Sequence, residues 1–232
     1  MILALETSTP RASLALWDEA AGEVTWRTEF STDRAHNAVI FAPVTEALSA
    51  CGGRLDGIAV GLGPGSYSGV RVGIAVANGL SLALDVPVVG VSSLEAYDGD
   101  LSGHFVVGDA RRKTRFLARL VEGRLAGEPE LIPEEEFSTR LLRETGWNRR
   151  GDRVELSSEE GALPGPTLSG PRVFTPDERV ASEVAGIEVR FPASIVVARR
   201  GACELSRGCG NTSLEPHYLR PPYITTPKSR KG

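Results

Sequence analysis

Ala59-Val60-Gly61-Leu62-Gly63-Pro64-Gly65-Ser66-Tyr67-Ser68-Gly69-Val70-Arg71-Val72-Gly73 opens a stretch that runs on to Leu84 and decides the fold. Ile58–Val60 is apolar throughout, as a parallel strand covered on both faces should be. Gly61, Gly63, Gly65 and Gly69 then make a glycine-rich turn, and a helix rich in small residues continues from about Gly69 to Leu84. Strand, turn and helix N-terminus together present backbone N–H groups to an anion. The same residues also make a tight turn that lets a helix pack closely. No Gly-Lys-Ser/Thr follows, so the turn is not a P-loop. Its spacing, Gly63-x-Gly65-x-x-x-Gly69, is not that of a dinucleotide fingerprint, and Ser92 and Ser93 stand where such a fold places its acid. Along the helix Gly69, Gly73, Ala77 and Ser81 recur at every fourth position. A glycine inside a helix costs about 0.5–1 kcal/mol relative to alanine, so the stripe calls for a close neighbour. A neighbour from this chain and a helix pair of a second protein both satisfy it.

The bulk composition narrows the function classes. The chain has 232 residues, 41% of them hydrophobic and 24% charged, which suits a soluble protein of one large or two small domains. A net charge of −4 supplies no general attraction to nucleic acid or anionic lipid, so any such contact needs a local patch or a partner. Cys51, Cys203 and Cys209 are odd in number and form no Cys-x-x-Cys pair, which reads as free thiols in a reducing compartment. His36, His104 and His217 are scattered and suggest no local metal site. The N-terminus begins with Ile2-Leu3-Ala4-Leu5 and has no basic leader. The longest apolar run, Val70–Leu84, contains Arg71, Asn78 and Ser81 and is too polar for a membrane span. The expectation is a cytoplasmic protein with no membrane contact.

Taken in order, Met1–Leu5, Ser13–Trp17 and Val24–Phe30 read as three strands of an antiparallel meander. His36–Ala50 changes to helical period, with Pro43 as an expected kink and Gly52-Gly53 as its stop. Pro87–Val91 is a fifth strand, and Ser92 or Ser93 caps a short helix through Tyr97. Asp98–Gly103 looks like a boundary, after which strands begin again. Phe105–Val107 and Arg115–Val121 pair across a basic turn, Arg111-Arg112-Lys113. Helices are expected at Glu134–Glu144 and Ala193–Ser206, a Pro/Gly-rich loop at Ala162–Pro171, and a basic tail after Arg220. The basic turn reads as a solvated hairpin, with RNA contact as the sharper alternative. Each half thus starts with strands and follows them with a helix. That is the layout of the α/β actin-like/Hsp70-like (ASKHA) fold with two similar mixed-sheet subdomains, residues 1–99 and 100–232, the last segment returning to the first. No local Ser/His/Asp, Cys/His or metal-ligand spacing stands out. No catalytic or metal residue is therefore assigned.

Several segments together resemble one family. They are Ile2–Thr9 (Ile-Leu-Ala-Leu-Glu-Thr-Ser-Thr), Val60–Gly73, Val89–Ala96 (Val-Gly-Val-Ser-Ser-Leu-Glu-Ala), Asp109–Arg112 and Pro216–Arg220. They are similar to the bacterial TsaB (YeaZ-like) family, densely up to about Ala96 and patchily beyond it. The resemblance implies a non-catalytic subunit of the machinery that makes threonylcarbamoyladenosine in tRNA, docked on a paralogous TsaD-type transferase and completed by a TsaE-type ATPase. In the transferase a His-x-x-x-His pair after the fifth strand holds the metal, and the matching positions here are Ser93 and Tyr97, neither suited to that role. Glu6 stands for the usual aspartate, Thr114 for an acid after the Arg-Arg pair, and the second half has no Gly-Gly adenosine signature. Glu6, Thr7, Ser8, Gly63, Gly65 and Ser66 then form a vestigial phosphate turn, and no cofactor is expected beyond ATP/Mg at the partner interface.

The docking surface is expected on the two helices, at Asn37, Phe41, Val44 and Leu48 together with Gly69, Val70, Gly73, Ala77 and Ser81. Without its partner the same face would pair with a second copy. Contact with tRNA is then indirect, apart from Arg111, Arg112 and Lys113. The competing reading is a self-sufficient phosphotransferase of this fold or a glycoprotease-like hydrolase, which requires a metal–nucleotide site at Glu6 or a nucleophile–base pair. On the docking reading, a bulky charge at Gly73 or Ala77 abolishes partner binding and leaves the chain folded.

Overall fold

A computed structural model describes residues 1–31, 37–98, 103–150, 153–156, 171–210 and 213–220. The loop expected at Ala162–Pro171 lies almost wholly outside these residues, and His36 and the basic tail (Lys228, Arg230, Lys231) wholly so. Strands β1 (Ile2–Glu6), β2 (Arg11–Asp18) and β3 (Glu23–Ser31) form the antiparallel meander. A 3-10 turn, Asn37–Ile40, leads into α1 (Phe41–Ala50). Pro43 produces no kink, because it falls in the first turn of α1, where no backbone N–H is required. Strand β4 (Gly57–Gly61), helix α2 (Tyr67–Leu84) and strand β5 (Val88–Val91) complete a parallel crossover, giving the sheet order β3-β2-β1-β4-β5.

A second sheet follows. Strands β6 (His104–Asp109) and β7 (Thr114–Val121) pair antiparallel around the basic turn. Strands β8 (Arg124–Leu125) and β9 (Glu130–Pro133) both add to β7. Helix α3 (Glu134–Thr145) is followed by the hairpin β10 (Trp147–Arg150) and β11 (Arg153–Leu156). Strand β12 (Arg172–Thr175), helix α4 (Glu178–Glu183) and strand β13 (Ile187–Val189) extend the sheet in parallel beyond β6. Helix α5 (Ser194–Ser206) comes last. Two mixed sheets with flanking helices constitute the α/β actin-like/Hsp70-like (ASKHA) fold.

Packing assigns α5 differently from chain order. The first sheet is apolar on both faces. Leu3, Leu5, Leu14, Ile58 and Val60 face α1 and α2, whereas Ile2, Ala4, Ala59, Val89 and Val91 face Val197, Ala198 and Ala202 of α5. A Cβ on Gly201 would overlap the Ala59 methyl, so α5 lies against the strands at backbone distance. Its start is pinned by Ala193 N–H donating to Ala96 O at 2.7 Å and by Ser194 N–H donating to Ser13 Oγ at 3.0 Å. A helix from the second half of the chain is therefore a layer of the first subdomain. Helix α2 has the length and hydropathy of a membrane span by composition alone. One side of it, however, is core: Val70, Gly73, Ile74 and Ala77 are buried.

In the second subdomain Phe137 and Leu141 of α3 and Val180 and Val184 of the α4 region pack on one sheet face. Leu94 and Tyr97 pack on the other with Phe116 and Phe174, joining the subdomains. Arg115, nearly buried, ties the elements by ion pairs to Asp109, Glu134 and Glu183. His104 is only 2% exposed, its ring 5.3 Å from that of Phe174. Among the described residues neither ring nitrogen has a hydrogen-bond partner. Burial, reinforced by Arg172, Arg200 and Arg190, lowers its pKa from 6.5 to about 4. The folded state therefore binds fewer protons than the unfolded one between those values, and stability falls as pH drops from about 6.5 toward about 4. At about 1.4 kcal/mol per pKa unit, the loss at pH 5 is roughly 2 kcal/mol. Replacing His104 by Leu should shrink the difference in urea-unfolding free energy between pH 7 and pH 5 by about that amount; an unchanged difference would contradict this assignment.

Candidate functional site

Between the subdomains lies a cleft of about 780 Å³. Its first wall is the turn after β1 (Thr7, Ser8, Thr9) and the start of α2 (Gly65–Gly69); its second is the β6–β7 turn with the start of α4. The sequence-selected phosphate turn, Glu6, Thr7, Ser8, Gly63, Gly65 and Ser66, is thus brought together in space. The glycines permit contacts that a side chain would block. Ser66 N–H donates to Ser8 O at 2.6 Å, and a Cβ on Gly65 would overlap that same carbonyl. The Ser66 hydroxyl caps α2 by accepting from Gly69 N–H at 3.2 Å.

Glu6 is sealed beneath this floor and is fully buried. Its Oε1 accepts from Ser8 N–H at 2.7 Å and its Oε2 from the Ser93 hydroxyl at 2.8 Å. Ser93 Oγ also accepts from Gly63 N–H at 3.0 Å. The network joins the ends of β1, β4 and β5. Burial raises the pKa of Glu6, and the hydrogen bonds from Ser8 and Ser93 offset that in part. Gly61 is required beside it, because a Cβ there would overlap the carboxylate. With both oxygens engaged below the surface, Glu6 cannot reach a metal in the cleft. The residues present do not fit a metal–nucleotide site at Glu6. Among the described residues no group of three or more His, Cys, Asp or Glu is placed to hold a metal ion.

Ser93 and Glu6 also look like a nucleophile–base pair, but their geometry makes them a structural tie. Ser93 is 2% exposed and spends its hydroxyl on Glu6 and Gly63. Tyr97 is buried with its ring stacked on Phe174 at 5.9 Å, and burial and then Glu6 push its hydroxyl pKa upward. It stays a neutral phenol.

The predicted docking face needs correction. Gly69, Gly73, Ala77 and Ser81 point inward. Thr7 Oγ1 donates to Gly69 O at 2.8 Å, and a Cβ on Gly73 would overlap that same Thr7 oxygen. Ala77, Val70 and Val44 are buried and Leu48 packs on the same core, while Ser81 Oγ donates to Val86 O at 2.6 Å. The close neighbour of Gly69 and Gly73 is the turn after β1, so the stripe is taken up largely by packing within the chain. Asn37 starts the 3-10 turn, and of the predicted set Phe41 is openly exposed, at 60%. What faces solvent is the opposite side of α2: Arg71, Ala75, Asn78, Gly79 and Leu82. Leu82 is 88% exposed, and nothing lies within 4 Å of a Cβ built on Gly79. Sequence periodicity registers a small face but not which way it turns.

The carboxy-terminal segment also reaches the site. His217 N–H donates to Leu62 O at 2.8 Å, and the Tyr218 ring lies 6.1 Å from that of Tyr67. The guanidinium of Arg71 sits 3.4 Å over Tyr67. Arg179, Tyr218 and Arg220 line the cleft, as does Arg111 of the basic turn. Only the motif Pro216–Arg220 hinted at this return; no local pattern marks Arg179.

The family model for the tRNA N6-adenosine threonylcarbamoyltransferase TsaD matches residues 30–118. The tRNA threonylcarbamoyladenosine biosynthesis protein TsaB of Escherichia coli K12 is 41% identical over 96 residues, 40% of either chain. A crystal structure of a Pseudomonas aeruginosa protein with similarity to peptidase YEAZ superposes with a TM-score of 0.67 at 25% identity, over 94% of this chain and 99% of that one. The chain is thus similar to TsaB and YeaZ proteins. YeaZ from the same organism, at 23% identity and a TM-score of 0.64, shares the fold over 96% of this chain and 99% of its own. The sequence match spans about 40% of the length of the curated TsaB relatives from E. coli and Haemophilus influenzae.

Similarity to TsaB and YeaZ proteins leaves the geometry of the glycine segment as described. Gly73→Val should destabilise the chain by about 3 kcal/mol through overpacking, lowering Tm by roughly 6–12 °C at this size. Ala77→Asp should do worse by burying an unpaired charge. A Gly73→Val variant melting like the wild type would restore the docking reading of the stripe.

Proposed function

We propose that this chain is a non-catalytic subunit of the machinery that makes threonylcarbamoyladenosine in tRNA, docking on and activating a TsaD-type transferase. The observation that carries the proposal is the solvent face of α2. Ala75, Gly79 and Leu82 leave a small, apolar surface uncovered on α2, and Phe41 of α1 is exposed as well. Small residues there let a partner helix approach closely, and a leucine 88% exposed on a regular helix gains from being covered. The TsaD family model matches residues 30–118, the segment containing both helices, and the match supports a paralogue presenting equivalent helices to this face. A stable pairing of this type buries about 1,200–2,000 Å² in total.

A TsaE-type ATPase completes the assembly, and tRNA is its substrate. In the absence of the transferase a second copy of the chain takes the same face. The sealed Glu6 and the tied Ser93 support a supporting role over chemistry of its own.

Leu82→Glu and Ala75→Arg should each weaken co-purification with the transferase by about 30-fold or more, the scale of a central interface residue. Because neither position contacts the core, thermal melts should stay within about 2 °C of wild type. Retained binding by both variants would refute the face. Reconstituted tRNA modification proceeding equally well with the chain omitted would refute the function.

A further inference from the structure

Helix α5 covers one face of the first sheet, yet shortly after its end Leu214 packs on the core that faces α1 and α2. Residues 213–220 have neither helix nor strand. His217, Tyr218, Leu219 and Arg220 line the cleft. Leu219 reaches the joint between the subdomains and packs with Leu94, Tyr97, Phe116 and Phe174. A segment that touches the first core, the cleft and the joint in so short a run is a strap.

Its attachments are few. Among the described residues, His217 N–H donating to Leu62 O at 2.8 Å is the one backbone–backbone hydrogen bond that residues 213–220 make. Leu214 and Leu219 are half-buried, and Glu215, His217 and Tyr218 are exposed. The middle of the strap is held by a stack. The Tyr218 ring lies 6.1 Å from that of Tyr67, and the Arg71 guanidinium sits 3.4 Å from the centre of the Tyr67 ring and 5.2 Å from that of Tyr218. Arg71 Nη1 also donates to Tyr67 O at 3.4 Å, and among the described residues no carboxylate pairs with it. A cation on exposed rings shifts an equilibrium by a few-fold, which holds a strap without fixing it permanently. The sheet beneath is fastened more firmly, since β4 is paired on both sides, by β1 and β5. The strap can therefore open without breaking a strand pairing.

Arg71 also begins the solvent face of α2. Arg71, Ala75, Asn78 and Leu82 follow one another at helical spacing, and all are exposed. A helix laid along that face meets the cation that latches the strap.

We infer that residues 213–220 are a strap that opens and closes one side of the cleft while the rest of the chain stays folded, latched by Arg71 with Tyr67 and Tyr218, and that the transferase on the solvent face of α2 holds the latch shut. The latch belongs to the chain alone; its control by the transferase rests on the docking function proposed above. Linkage makes the effect mutual, so that closing the strap favours docking as docking favours closing.

The test follows hydrogen exchange of the His217 amide at residue resolution on the full chain, with the β4 amides as reference. In wild type His217 should exchange about tenfold or more faster than the β4 amides, and about tenfold or more slower than an unstructured peptide. Arg71→Ala and Tyr218→Ala should each speed it about threefold to fivefold. Both variants should leave the β4 amides unchanged and melt within about 2 °C of wild type, and Leu82→Glu should leave His217 exchange unchanged. Saturating transferase should slow His217 about tenfold in wild type and much less in Arg71→Ala. The strap is overturned if His217 exchanges at the β4 rate or at the peptide rate, or if neither latch variant changes it. Its control is overturned if the transferase binds wild type and leaves His217 exchange as it was. A transferase that does not bind at all refutes the docking function and the control with it, while the latch measured on the isolated chain stands.

Discussion

The contact on which most of the structure depends is the approach of α2 to the turn after β1. Thr7 donates its hydroxyl to Gly69 O, and Gly73 leaves room for the Thr7 side chain one helical turn later. Side chains at those two helix positions would lift α2 off the sheet. That would open the core formed by Val70, Ile74 and Ala77 with Leu5 and Val60, and displace the Ser66–Ser8 hydrogen bond that shapes the cleft floor. The glycine segment is a packing device first. Its backbone N–H groups are largely spent on neighbouring strands and turns.

Beneath that contact the Glu6–Ser93–Gly63 network is closed off from the cleft. A carboxylate with every oxygen bonded and no solvent access is costly to charge, and burial indeed raises its pKa. It ties three strand ends to one another. The same economy shows in Tyr97, whose ring is committed to Phe174 at the joint between subdomains. The outer side of α2 stays open to solvent.

Much of this was legible in the sequence. The apolar run Met1–Leu5, the alternation in Val24–Phe30, the uniformly apolar β4 and the glycine stop after α1 each place an element through local chemistry, because strand burial, helix period and positive φ act over a few residues. The phosphate-like turn was legible for the same reason. The orientation of the Gly69–Ser81 stripe was not, since a helix with small residues on two sides has no local feature saying which side is covered. Gly79 and Ala75 resemble Gly73 and Ala77 in composition, and only the position of Thr7 separates them.

By itself, then, the sequence determined the order and kind of elements up to β7, the helices near α3 and α5, the absence of a P-loop, and the resemblance to TsaB proteins. Tertiary structure alone decided that α5 covers the first sheet, that Glu6 is sealed, and that Tyr218 returns across the chain to meet Tyr67. It also decided that the face of α2 open to solvent is the one carrying Leu82. The reason is physical. Local propensities fix backbone geometry, but which face of an element is buried depends on apolar and polar groups far apart in the chain meeting at contact distance.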